Sequence, residues 1–145
     1  AYFPTLSDWY AIKKIAFLSE NNIFTKNELT ANRTAINAIY DELIEQNTGN
    51  AKLYFMKEKI TENCNFNQCK DKLQQLNTLL NSDTKGDYKV LIMDDIMNEL
   101  LAKKQEKEAL EIAAKAKSQY PQSPFIENIK KETLNNIFNN FIKKN

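Results

Sequence analysis

Apolar residues recur at spacings of three and four along almost the whole chain, the period of a helix face turned towards a core. The first such run covers about residues 5–20. Thr5 followed by Asp8 predicts a capped start: the hydroxyl accepts a free amide of the first turn, and the acid lies near the positive helix end. Leu6, Trp9, Ile12, Ala16 and Phe17 are the expected buried stripe. Asn21 and Asn22 end the run, and Ile23 and Phe24 are expected to fold back onto the core. A second helix is predicted over about residues 31–46, on Ile36, Ile39, Tyr40, Leu43 and Ile44. Thr48, Gly49 and Asn50 read as a turn in which Gly49 takes a positive φ. Asn50 then caps a third helix that runs to about Glu62, with Leu53 and Ile60 inward, and residues 63–67 form the next connection.

A fourth helix over about residues 68–81 presents Leu73, Leu76, Leu79 and Leu80. After a polar, turn-forming stretch, a fifth runs to about Lys104 on Val90, Leu91, Met93, Ile96, Met97, Leu100 and Leu101. A break at Gln105 leads to a sixth, carrying Ala109, Leu110, Ala113 and Ala116, which Pro121 and Pro124 stop. Ser123 reads as the cap and Pro124 as the first residue of a last helix on Ile126, Ile129, Thr133, Leu134, Ile137, Phe138 and Phe141. The expected architecture is all-α: about seven antiparallel helices in an irregular α-α superhelix. It forms a single helical domain over residues 1–145, with irregular helix pairs over 1–86 and a hairpin plus a C-terminal helix over 87–145.

Residues 87–120 have the 34-residue period of a tetratricopeptide unit and resemble one. With Pro121 as the closing proline, the two small positions of that repeat fall on Ala109 and Ala116, seven apart on one face. Met97 stands where the repeat usually has glycine, and Glu106 where it has an aromatic residue. Any antiparallel helix hairpin with small residues at its crossing shares the rest of the pattern.

Composition narrows the chemistry. Two glycines and three prolines in 145 residues disfavour an all-β fold and glycine-rich phosphate loops. There is no histidine, which removes the usual general base and zinc ligand. A net charge of +1, with one arginine among the basic residues, speaks against a nucleic-acid partner. No apolar run approaches the roughly 20 residues of a membrane span. The first residues show neither a basic leader nor an apolar h-region, as expected of a mature product or an excised piece.

Individual candidates mostly read as structural. The acid pairs Asp94–Asp95 and Asp41–Glu42 are adjacent on helices and point about 100° apart, so neither converges on one point. Asp94 borders the buried stripe, with Lys89 and Asn98 within helical reach, and is expected at the surface. The lysine pairs 103–104, 130–131 and 143–144 read as solvated faces. Trp9 with Tyr10, and Tyr2 with Phe3, read as packing groups that are also able to stack a ligand. Asn32, Arg33 and Thr34 form an N-glycosylation triplet. Cys64 and Cys69 are too poorly spaced for a zinc knuckle, and no other residue completes one. Five apart, they do not share a helical face, so a bridge calls for a loop over 63–67; the alternative is two free thiols. No metal or cofactor is expected.

Phe3-Pro4-Thr5-Leu6-Ser7-Asp8-Trp9-Tyr10-Ala11 resembles the phrase Pro-Thr-Leu-Tyr-Asp-Phe-Leu-Ala, which opens the helical N-terminal region of large alpha-2-macroglobulin-like proteins of Bacteroidetes. The helix around Ala38-Ile39-Tyr40-Asp41-Glu42-Leu43-Ile44, the entry Asn50-Ala51-Lys52-Leu53 and the leucine helix Leu73-Gln74-Gln75-Leu76 are similar to segments of that family in the same order. So is the closing unit from Glu108 to Ala113 and from Tyr120 to Ser123. Ser7 replaces the tyrosine of the opening phrase. The family resembles host protease traps, many with a thioester Cys-x-x-Gln; here Cys64 begins Cys-Asn-Phe-Asn and Cys69 begins Cys-Lys-Asp-Lys. The resemblance therefore implies an accessory helical region beside the trap, part of a larger exported protein, periplasmic or on the cell surface. That setting makes a Cys64–Cys69 bridge more plausible.

Two functional readings follow. One is a non-catalytic helical scaffold that packs on neighbouring domains or on a protein partner. The other is a self-contained tetratricopeptide-like module whose peptide groove is lined by Lys89, Met93 and Asn98. An enzyme is not expected, because no acid, base, metal or nucleophile set converges.

Overall fold

A computed structural model describes residues 5–144, with side chains for all of them except 132, 136, 137 and 140–144. The expectations for Tyr2, Phe3, Ile137, Phe141, Lys143 and Lys144 lie outside these described residues or side chains. The described chain is all-α, with seven helices in order: α1 Leu6–Leu18, α2 Lys26–Gln46, α3 Gly49–Asn67, α4 Lys72–Leu80, α5 Lys89–Ala102, α6 Glu106–Gln119 and α7 Ile126–Lys144.

The ends of the helices follow their local chemistry. Thr5 Oγ1 accepts the Asp8 amide at 3.2 Å, as its sequence predicts. α2 begins five residues earlier than its apolar period suggests. Thr25 and Glu28 form a reciprocal capping box (3.2 and 2.9 Å), and the turn they start is exposed and therefore carries no apolar signal. Gly49 takes φ +59° at the start of α3. Asn50 does not cap its own helix; its side chain reaches across to the start of α5. α3 also continues through residues 63–67, where a loop was expected. It ends at Gln68, which is left-handed (φ 51°, ψ 47°) and turns the Cys69 amide back onto the Cys64 carbonyl at 3.2 Å. Ser123 Oγ accepts the Phe125 amide at 3.2 Å, and α7 starts at Ile126, two residues beyond the expected position.

Each helix packs on the one before it, and α5 additionally touches α3 and α7. That position explains why α5 is buried on several sides, at Val90, Ile92, Met93, Asp94, Ile96, Met97 and Leu100. Two cores meet at α3. Ile15, Ile36, Tyr40, Leu43 and Phe55 form the first, between α1, α2 and α3. The second runs from Leu53 through α4 and α5 to Ile126 and Ile129, and Tyr54 packs against both. Ala109 and Ala116 are 1% and 0% exposed, and α6 packs on α5 at these small residues.

α1 is rotated from its expected orientation. Ile15 and Asp8 face the core with Ala11, Ile12 and Leu18 beside them, whereas Leu6, Trp9 and Phe17 are exposed. α1 is apolar on two opposite faces, so its periodicity alone could not choose between them; Ile36 and Tyr40 of α2 decide the matter by packing on the Ile15 side. Ile23 also stays exposed, while Phe24 packs edge-on against Phe17 with ring centroids 5.3 Å apart.

Candidate functional site

Cys64 and Cys69 form a disulfide, with Cα atoms 4.8 Å apart. A loop over 63–67 is not needed, because the left-handed turn at Gln68 returns the chain to the end of the helix. Among the described residues, Asp71 is the one other metal-ligating group near the pair, and the bridge occupies both sulfurs.

Lys89, Met93 and Asn98 do not line a groove. Met93 is 1% exposed in the core, Lys89 Nζ donates to the Ser82 carbonyl at 2.9 Å, and Asn98 is half-buried. Met93 belongs to the core that α5 shares with α3, α4, α6 and α7, so the three side chains do not present one open face. Asp94 is likewise buried and not at the surface, while its neighbour Asp95 pairs with Lys57 at 3.2 Å. Asp41 pairs with Lys59 and Lys130 with Glu127. Trp9 and Tyr10, expected as core packing, stand in solvent. The amide nitrogen of Asn32 donates to the Leu18 carbonyl at 3.0 Å, a bond that a glycan on that nitrogen would disturb.

The densest polar cluster lies where α1, α2 and α3 meet, around the single arginine. Glu62 accepts from Arg33 (3.3 Å), from Ser19 Oγ (2.8 Å) and from the Tyr40 phenol. Arg33 also donates to Asn63 Oδ1 at 2.6 Å, and Asn63 donates to Asn37 at 2.7 Å. The Arg33 guanidinium lies over the Phe66 ring, 4.9 Å from its centroid. Burial, and then the hydrogen bond to Glu62, hold the Tyr40 phenol well above its ordinary value. Nearby, burial raises the Glu58 carboxyl, with Lys57 pulling against the rise. The groups bond one another across three helices, which is the chemistry of a clasp, although Arg33 Nε is buried there without a hydrogen-bond partner. Its hydrogen-bonded pairs are 22 to 43 residues apart, so no local motif announces it; the one sequence signal is a lone arginine in a lysine-rich chain.

Two open grooves are largely apolar. A groove of about 360 Å³ lies between α6 and α7, floored by Leu110, Ala113, Ile126, Ile129 and Leu134 and edged by Lys117 and Lys130. Leu110 is 46% exposed and Leu134 67%. A second groove of about 410 Å³ runs between α2, α3 and α4, with Ile44, Met56 and Ile60 below and Gln74, Gln75 and Thr78 at its rim.

No known protein family, curated protein or solved structure matches this chain. What it does has to be read from its own surfaces. These place large apolar side chains in water at both ends of the helical array: Leu6, Trp9, Tyr10, Phe17 and Ile23 at one, and Leu110, Leu134 and Phe138 at the other.

Proposed function

We propose that the chain is a non-catalytic helical scaffold that holds protein partners through the exposed apolar faces of its terminal helices. The groove between α6 and α7 carries this reading. In a stacked helical array each element buries its apolar face on the next, and a free end is normally polar. Here Leu110, Leu134 and Phe138 leave the last pair apolar, as a surface that another helix covers. The acids Asp41, Asp95, Glu62 and Glu99 sit on Lys59, Lys57, Arg33 and Lys72, which supports structural roles for them. The phrase-by-phrase resemblance to alpha-2-macroglobulin-like proteins extends the proposal to a setting: an accessory N-terminal region of an exported protease-trapping protein, in the periplasm or on the cell surface.

Hydrogen exchange of α6 and α7 tests the scaffold role, comparing the chain alone with the chain joined to the region that follows it in the parent gene. Slower exchange at Leu110 and Leu134 is expected in the longer protein. Equal exchange in both rejects the groove as a contact surface, and a parent gene with no large β-rich region downstream rejects the trap setting.

A further inference from the structure

The outer face of α1 is a second stripe on an already packed helix. At 100° per residue, Leu6, Tyr10, Lys13 and Phe17 fall within an arc of roughly 60°, with Trp9 at its edge, while Ile15 and Asp8 lie on the opposite side. Leu6 is 69% exposed, Tyr10 62%, Phe17 52% and Trp9 45%. These are not isolated surface residues, since they follow one line down the helix.

We infer that this face docks on the same face of a second copy, with the two α1 helices antiparallel about a two-fold axis. An isologous contact needs a surface complementary to itself, and this stripe has that property. With the axis level with the Ala11–Ile12 peptide, Leu6 meets the partner's Phe17 and Tyr10 meets the partner's Lys13, each contact occurring twice. The one charge on the stripe thus finds an aromatic ring, as Lys13 already does within the chain, where its Nζ lies 5.3 Å from the Trp9 centroid. A register shifted to oppose Trp9 and Phe17 would bring the two Lys13 side chains together, which like-charge repulsion disfavours. The exposed charges of α1 and of the turn into α2 are Lys13, Lys14, Glu20, Lys26 and Glu28, a set of both signs and not the all-basic rim that attracts an anionic bilayer. Each copy would cover on the order of 500 Å², less than the ~800 Å² per partner of a standard interface, which makes this a weak, concentration-dependent dimer.

The inference rests on the scaffold reading and names one partner within it. Sedimentation velocity of the full chain from about 1 to 300 μM tests it, with the emission of Trp9, the only tryptophan, as a reporter at the interface. A rise towards the dimer mass with concentration is expected, together with a blue shift of Trp9. Leu6→Asp and Tyr10→Asp alter exposed positions, and each weakens the dimer about tenfold or more at unchanged helicity. Leu134→Asp, at the other end of the array, leaves it unchanged. A monomer throughout the range, a dimer indifferent to both α1 variants, or equal loss with Leu134→Asp overturns the inference. So does a Trp9 shift that appears only with anionic phosphatidylserine vesicles. Exchange at α6 and α7 is read separately, so the scaffold proposal survives or fails independently of the α1 result.

Discussion

Asn50 and Tyr88 are 38 residues apart in sequence and joined at the junction of α3 and α5: Asn50 Oδ1 accepts the Tyr88 amide at 2.9 Å. The same side chain donates from Nδ2 to Asp87 at 2.7 Å, so one amide holds the turn that starts α5. Gly86 allows this approach, since a Cβ there would sit 2.2 Å from Asn50 Oδ1. Asn50→Ala is expected to destabilise the fold by about 1–3 kcal/mol, because it strips the partner from a part-buried amide. Gly86→Ala should act in the same direction. Urea unfolding of the two variants measures both effects.

The bridge between Cys64 and Cys69 closes a short loop at the end of α3. Reduction is expected to cost about 2 kcal/mol, the lower part of the usual range, because a short loop restricts the unfolded chain less than a long one. Thermal melts with and without reductant measure this. Alkylation of the unfolded protein followed by mass spectrometry should label neither cysteine before reduction and both after it.

Tyr40 gives the fold an alkaline limit. Its folded pKa is raised from 10.0, so the folded state keeps a proton that the unfolded state releases. The stabilisation is complete below pH 10 and is lost as pH rises through and above it. Stability measured by urea unfolding from neutral to strongly alkaline pH should fall more steeply in the native protein than in Tyr40→Phe. At neutral pH the same substitution should cost about 1.5–3 kcal/mol, the worth of a hydrogen bond to a charged group, because it removes the donor to Glu62.

Ala116 is fully buried where α6 packs on α5. Ala116→Leu forces extra methylenes into that contact and is expected to cost about 1–3 kcal/mol, read as a lowered melting temperature. Leu110→Ala, at a position half open to water, should change stability far less.

What was legible in the chain was local. Seven apolar stripes with period 3.6, the Thr5 cap, the positive φ of Gly49 and the small pair Ala109 and Ala116 all depend on residues within a turn or two of one another. The Thr25–Glu28 capping box was equally local, but it was hidden by the exposed turn it begins. Three features were decided only in three dimensions. α1 has two apolar faces, and contact with α2 chose which one is buried. Helix α3 persisted through residues 63–67 because its far end is held by Glu62, Asn63 and the bridge at Cys64, groups whose partners lie on other helices or beyond the turn. Asp94, expected at the surface, was enclosed because α5 has neighbours on several sides, including α3 and α7. Hydrophobic period specifies that a helix has a face to bury, but the choice among faces is a free-energy difference set by the neighbours it meets.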